Sequence, residues 1–167
     1  MSTPADDPRE RLLDTRWEDL LSELRGVLAG ETDPVANAAN TAALLFTRMP
    51  AVNWAGFYFQ RGEDLVLGPF QGQPACTRIA LGKGVCGAAA ARRETLVVPD
   101  VHAFPGHIVC DSASRSEIVA PLLLGSRVLG VLDIDSPALG RFTEADRAGV
   151  EAVAVLYVES CHPELFG

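Results

Sequence analysis

Apolar residues recur at helical spacing over Trp17, Leu20, Leu21, Leu24, Val27 and Leu28, and Gly30 stops the pattern. A second helix opens at Asp33, whose carboxylate suits an N-cap, with Pro34 at the first helical position, and runs to about Met49 ahead of Pro50. The period then changes to two. Val52–Phe59 is rich in aromatic residues and reads as a strand, with Trp54 and Tyr58 on one face and Ala55, Phe57 and Phe59 alternating with them. Arg61-Gly62-Glu63-Asp64 turns this strand into Leu65–Leu67, which makes a hairpin.

Short strands follow near Thr77–Ala80 and Thr95–Val98, separated by a glycine-opened, alanine-rich helix over Val85–Arg92. Residues 99–114 form the longest stretch without a period, the kind of loop that carries function in a compact domain. Ser116–Leu124 and Arg127–Asp135 then flank Gly125-Ser126, a two-residue loop suited to a type II′ hairpin turn. A last helix starts at Thr143, with Asp146 three residues on as in a capping box, and turns Val150, Val153, Ala154 and Tyr157 inward. This order predicts an α+β fold, a central and mainly antiparallel sheet of about six strands with helices packed on it. One domain over residues 14–162 is expected, with a polar tail at 1–13 and a short one at 163–167.

Composition narrows the function. Acidic residues outnumber basic ones 22 to 14 in the 167-residue chain, and the net charge of -8 argues against nucleic acid or an anionic membrane as partner. The start of the chain has proline and charge where a secretory signal needs an apolar run, and no later stretch is long and uncharged enough to span a bilayer, so the expected location is the cytoplasm. In that reducing compartment the four cysteines point to reactive or metal-binding roles rather than structural disulfides.

Gly82-Lys-Gly-Val-Cys-Gly87 matches the G-x-G-x-x-G spacing, but the nearest acidic candidate for a ribose, Asp100, comes too soon. A tight turn feeding a helix is the simpler reading. It places Cys86 near a helix N-terminus beside Lys83, where a positive field favours thiolate. Cys76, Cys86 and Cys110 contain no C-x-x-C pair, and adding His102 and His107 gives no structural zinc spacing, so neither a metal nor a cofactor is expected. Burial as a small hydrophobe is the ordinary fate of a free cysteine and is assigned to Cys161. Cys110 differs, because it lies in the irregular loop next to Asp111, where a thiol can be both exposed and tuned. His107 reads more simply as a loop histidine bonded to backbone than as a base. Asp133 and Asp135 share a strand face, continuing the row of Leu129 and Val131. They either pass beyond the sheet into water or meet in a pocket, where a cationic ligand or a raised pKa must relieve them.

Taken together, several segments resemble the free methionine-(R)-sulfoxide reductases, a branch of the GAF fold. They are Asn53-Trp-Ala-Gly-Phe-Tyr58, Leu67-Gly-Pro-Phe-Gln-Gly72, Gly82-Lys-Gly-Val-Cys-Gly87, Pro99-Asp100, Pro105-Gly-His-Ile-Val-Cys-Asp111, Ser116-Glu-Ile-Val119 and Gly130-Val-Leu-Asp-Ile-Asp135. The resemblance implies a pocket in which Trp54 and Tyr58 enclose the substrate's methyl group while Glu117, Asp133 and Asp135 hold its ammonium and polarise the sulfoxide. It implies Cys110 as nucleophile, with Glu117 or Asp135 supplying the proton that makes sulfur electrophilic. Cys86 and Cys76 compete to resolve the resulting sulfenic acid into a disulfide, which a thioredoxin-type dithiol then reduces. A homodimer is compatible with this reading. Glu117 poses one difficulty: strict pairing across Gly125-Ser126 sets it opposite Ile134, on the wrong face, unless a bulge near Pro121 shifts the register by one residue. The alternative from another class is a non-catalytic GAF module that senses a small ligand, which would have little use for three cysteines and a carboxylate cluster around one pocket.

Overall fold

A computed structural model describes residues 14–108 and 112–166 of the chain. Two helices come first, α1 at Trp17–Leu28 and α2 at Pro34–Arg48. The Asp33 side chain accepts from the backbone N–H groups of Val35 and Ala36, which satisfies two of the donors that a helix start leaves open. Strands β1 (Trp54–Arg61), β2 (Asp64–Gly72) and β3 (Arg78–Ala80) follow, then helix α3 (Gly84–Arg92) and strand β4 (Leu96–Val98). The long hairpin of β5 (Ser116–Leu124) and β6 (Arg127–Ser136) leads into helix α4 (Glu144–Ser160). The six strands form one antiparallel sheet in the order β3-β2-β1-β6-β5-β4, the α+β architecture that the pattern predicts.

Strand alternation sorts side chains onto two faces. Ala55, Phe57 and Phe59 join Leu132 and Ile134 under α1, α2 and α4 in the larger core. Trp54 and Tyr58 point the other way and pack with Val119, Val131 and the Val85, Cys86 and Ala89 side of α3. The smaller core is the side on which a pocket forms.

Two bulges set the register. In β1–β2, Gly56 pairs with Phe70 and Tyr58 with Leu67, so Gly68 and Pro69 together stand against Phe57. That carries β2 to Gly72, five residues past the predicted end at Leu67. In β5–β6, Leu122 pairs with Gly130 and Leu123 with Val128, which leaves Leu129 as the extra residue. The register shift needed by Glu117 is therefore present, but it is made on β6 at Leu129 rather than near Pro121. It also corrects the predicted row: Leu129 turns into the larger core, whereas Val131 belongs to the smaller one. Gly130 allows this close approach, because a Cβ there would collide with the Tyr58 backbone oxygen on β1.

Packing at the far end of α4 closes the larger core. Thr143 and Asp146 form the capping box, and Asp146 also accepts from the indole N–H of Trp17 at 2.9 Å and pairs with buried Arg141 at 2.9 Å. Gly149 makes room for the Trp17 ring, which a side chain at that position would strike. Beyond residue 162, Pro163–Phe166 forms a 3₁₀ turn that buries Phe166 against Phe59 and Tyr157. No described helix is long and apolar enough to cross a membrane.

Candidate active site

One row of residues runs across five strands. Val98 on β4 pairs with Glu117, Glu117 with Asp135, Asp135 with Trp54, and Trp54 with Gly72 on β2. The next row on the same face carries Val119, Asp133 and Gly56. Three carboxylates and an indole are thus fixed by backbone pairing, not by loop conformation.

The aromatic wall is pinned at its polar tips. Trp54 donates through Nε1 to the Gln73 carbonyl at 3.1 Å, and the Tyr58 hydroxyl donates to the Cys76 carbonyl at 2.9 Å. The two rings lie 6.0 Å apart with their planes inclined at 27°, and Phe70 stacks on Trp54 at 5.3 Å. Both rings are almost fully buried in the protein, so their orientation is set before any ligand arrives.

Helix α3 supplies the opposite wall. Gly82 and Gly84 adopt left-handed conformations, and a Cβ on Gly87 would meet the Ala80 carbonyl oxygen at 2.5 Å. The glycine motif is a tight turn that lays the start of α3 against β3. It brings Lys83, Gly84, Val85 and Cys86 to the pocket. The loop adds His107 and Ile108, and Ser114 enters as well, held by a 3.2 Å hydrogen bond donated by Asn53.

Trp54, Tyr58, Cys86, Glu117, Asp133 and Asp135, six of the residues singled out from the sequence, line this one pocket. Cys76 lies just behind it, beneath the Tyr58 hydroxyl, and is disulfide-bonded. Cys110 lies outside the described residues. Among those described, Cys86 and Cys161 are free thiols, and Cys161 sits in the larger core as the expected small hydrophobe. Ile79 and Ser114 carry no mark in the sequence, because strand end and loop converge only in three dimensions.

Electrostatics follow from burial and crowding. Burial, and then the neighbouring Asp133, hold the Glu117 carboxyl well above the usual carboxylate range. Asp133 is pushed up by burial and by Asp135. Cys86 stands 3.9 Å from Glu117, and its thiol is raised by burial and by Asp133, Glu117 and Asp135. This overturns the expected thiolate at Cys86: three facing carboxylates and lost solvation outweigh the helix N-terminus and an exposed Lys83. His107 is held neutral to lower pH by burial and by His102, whose ring is 6.0 Å away. Oδ1 of Asp133 is buried with no hydrogen-bond partner among the described residues, so the pocket contains an acceptor waiting for a donor.

The GAF domain profile matches residues 23–158. The chain is 52% identical over 134 residues to the free methionine-R-sulfoxide reductase of Escherichia coli, spanning 80% of this chain and 81% of that one. It belongs to the free methionine-R-sulfoxide reductase family of GAF domains. The yeast member, from Saccharomyces cerevisiae, is 41% identical over 152 residues, covering 86% of this chain and 84% of its own. The family enzyme of Neisseria meningitidis, solved in complex with its substrate, superposes with a TM-score of 0.84 at 44% identity, over 96% of this chain and 93% of that one. A substrate complex of the Staphylococcus aureus protein gives 0.85 at 41% identity, over 89% and 97% of the two chains.

Proposed function

We propose that this protein reduces free L-methionine (R)-sulfoxide to methionine by thiol chemistry. The observation that carries the reading is the group of buried Glu117 and Asp133 and partly buried Asp135 in the pocket lined by Trp54 and Tyr58, an acidic cluster in which Asp133 Oδ1 has no hydrogen-bond partner among the described residues. Such a pocket suits a ligand with an ammonium at one end and a methyl sulfoxide at the other. The ammonium neutralises Asp133 and Asp135, and the methyl group packs between the rings.

Glu117, whose carboxyl is held well above the usual carboxylate range by burial and then by Asp133, is the acid that delivers a proton to the sulfoxide oxygen. Cys110, as thiolate, attacks the sulfur. An S–S bond forms as the protonated oxygen departs as water, taking a second proton from solvent; water then attacks the Cys110 sulfur, the S–S bond breaks with its electron pair going to methionine, and Cys110 is left as sulfenic acid. Cys76 then attacks the sulfenic sulfur, water departs, and a Cys76–Cys110 disulfide remains for an external dithiol of the thioredoxin class to reduce. Of the two candidates for the resolving thiol, Cys76 is favoured: it takes part in a disulfide, whereas Cys86 is free, buried and held as thiol by its acidic neighbours. Cys86 serves instead as part of the pocket floor.

One equivalent of sulfoxide added to reduced protein, followed by peptide mapping, tests the relay. A Cys76–Cys110 peptide pair is expected. A Cys86–Cys110 pair, or Cys110 stopped at the sulfenic or sulfinic stage, would contradict it.

A further inference from the structure

Three donor atoms of two chemical kinds meet on the pocket floor. The Cys86 sulfur and one carboxylate oxygen each from Glu117 and Asp133 all lie within 4.8 Å of one another, on residues that are all buried. They come from the first turn of α3, from β5 and from β6, so no spacing in the sequence announces them. Asp133 is 6% exposed, and its Oδ1 has no partner among the described residues, an acceptor that an entering cation would satisfy.

We propose that Cys86, Glu117 and Asp133 bind a soft divalent cation of the zinc class, and that the bound ion closes the pocket to substrate. The donor set decides the class of ion. A thiolate and two carboxylates with a fourth position open toward the pocket suit tetrahedral zinc or cadmium, whereas magnesium and calcium demand six or more oxygens. Zinc sits about 2.3 Å from sulfur and about 2.1 Å from oxygen, so the three donors must draw in by about 1 Å, within reach of small side-chain rotations. On binding, the Cys86 proton and those held by the carboxylates pass to solvent and the ion replaces them. The ion site itself is independent of the reductase reading; only its competition with sulfoxide rests on that reading.

Cadmium is the practical probe, because a cadmium–thiolate pair absorbs in the ultraviolet and a cadmium–carboxylate pair does not. Titrating the oxidised full-length protein should raise this band at one equivalent, and zinc should displace it. Cys86→Ser should lose the band, while Cys161→Ser keeps it. Asp133→Asn and Glu117→Gln, each removing a direct ligand, should weaken binding by more than the roughly 10–100-fold that loss of a merely supporting group costs. Excess methionine sulfoxide, which the oxidised protein cannot turn over, should raise the apparent cadmium dissociation constant. A band that survives in Cys86→Ser, or wild-type protein without one, would overturn the site. Binding unaffected by sulfoxide would overturn the blocking of the pocket, and metal-free turnover on the same preparation separates that result from failure of the reductase reading.

Discussion

Glu117 faces Asp135 directly across the β5–β6 ladder, and it does so because Leu129, the third residue of β6, is looped out of register. Without that one extra residue Glu117 would sit opposite Ile134 and point into the larger core. Gly130, next to the bulge, presses against the Tyr58 backbone, so the device that aims the acid also holds the aromatic strand.

The bulge can be tested through its glycine. Gly130→Ala drives a methyl group into the Tyr58 carbonyl, a backbone atom that cannot rotate away, and should destabilise by about 1–3 kcal/mol. Gly26→Ala is the control: it lies within α1, its added Cβ meets nothing within 4 Å, and it should stabilise by a few tenths to about 1 kcal/mol. Urea midpoints of the two variants should move in opposite directions.

Asp146 joins three elements, accepting from Trp17, from Arg141 and from the Thr143 N-cap. Asp146→Ala strands the Arg141 guanidinium, whose side chain is 2% exposed. The expected loss is about 3–5 kcal/mol, read as a lowered denaturation midpoint. Asp146→Asn keeps two acceptor contacts and should lose less.

Glu117 and Asp133 carry raised pKa values in the fold, so they bind protons there that the unfolded chain has already released. Stability from this source is fully present below the ordinary carboxylate range and is lost as pH rises through the raised folded values. The ligand-free protein should therefore unfold at lower urea at about pH 8 than at about pH 5, and Asp133→Asn should flatten that difference. Methionine, which brings an ammonium to the cluster, should flatten it as well.

Much of this was legible in the chain. Period two placed Trp54 and Tyr58 on one face, and Asp33-Pro34 and Thr143 with Asp146 marked helix starts through their local hydrogen bonding. Bulges were harder to place. From sequence β2 reads as ending before Gly68-Pro69, because a bulge and a strand end use the same residues, and Leu129 reads onto the wrong face because an extra residue leaves no mark in an apolar run. The Cys86 thiol departs from its sequence expectation for a different reason. Its helix and Lys83 are neighbours in sequence, whereas Glu117 and Asp133, which dominate its surroundings, are more than one element away.

In the reaction, Glu117 acts as an acid, so the fall of kcat/KM on the alkaline side should track its raised value. Glu117→Gln should lower the rate roughly a hundredfold or more and remove that alkaline limb. A variant that kept the limb would move the proton donor elsewhere, with Asp135 next in reach.

Recognition of a free ammonium predicts a strong bias against blocked substrates. N-acetylated, amidated methionine sulfoxide leaves Asp133 and Asp135, side by side on one face of β6, without a cation, at a cost on the order of 3 kcal/mol, roughly a hundredfold in kcat/KM. Equal rates on the free and blocked forms would assign the carboxylates another role.

The central claim is tested most directly by following the R and S epimers of free methionine sulfoxide by chromatography, with purified protein and a dithiol donor. Wild-type protein should consume the R epimer and form methionine in equal amount, leave the S epimer, and lose this turnover in Cys110→Ser with the fold retained. No methionine from either epimer, or undiminished turnover in Cys110→Ser, would contradict the account.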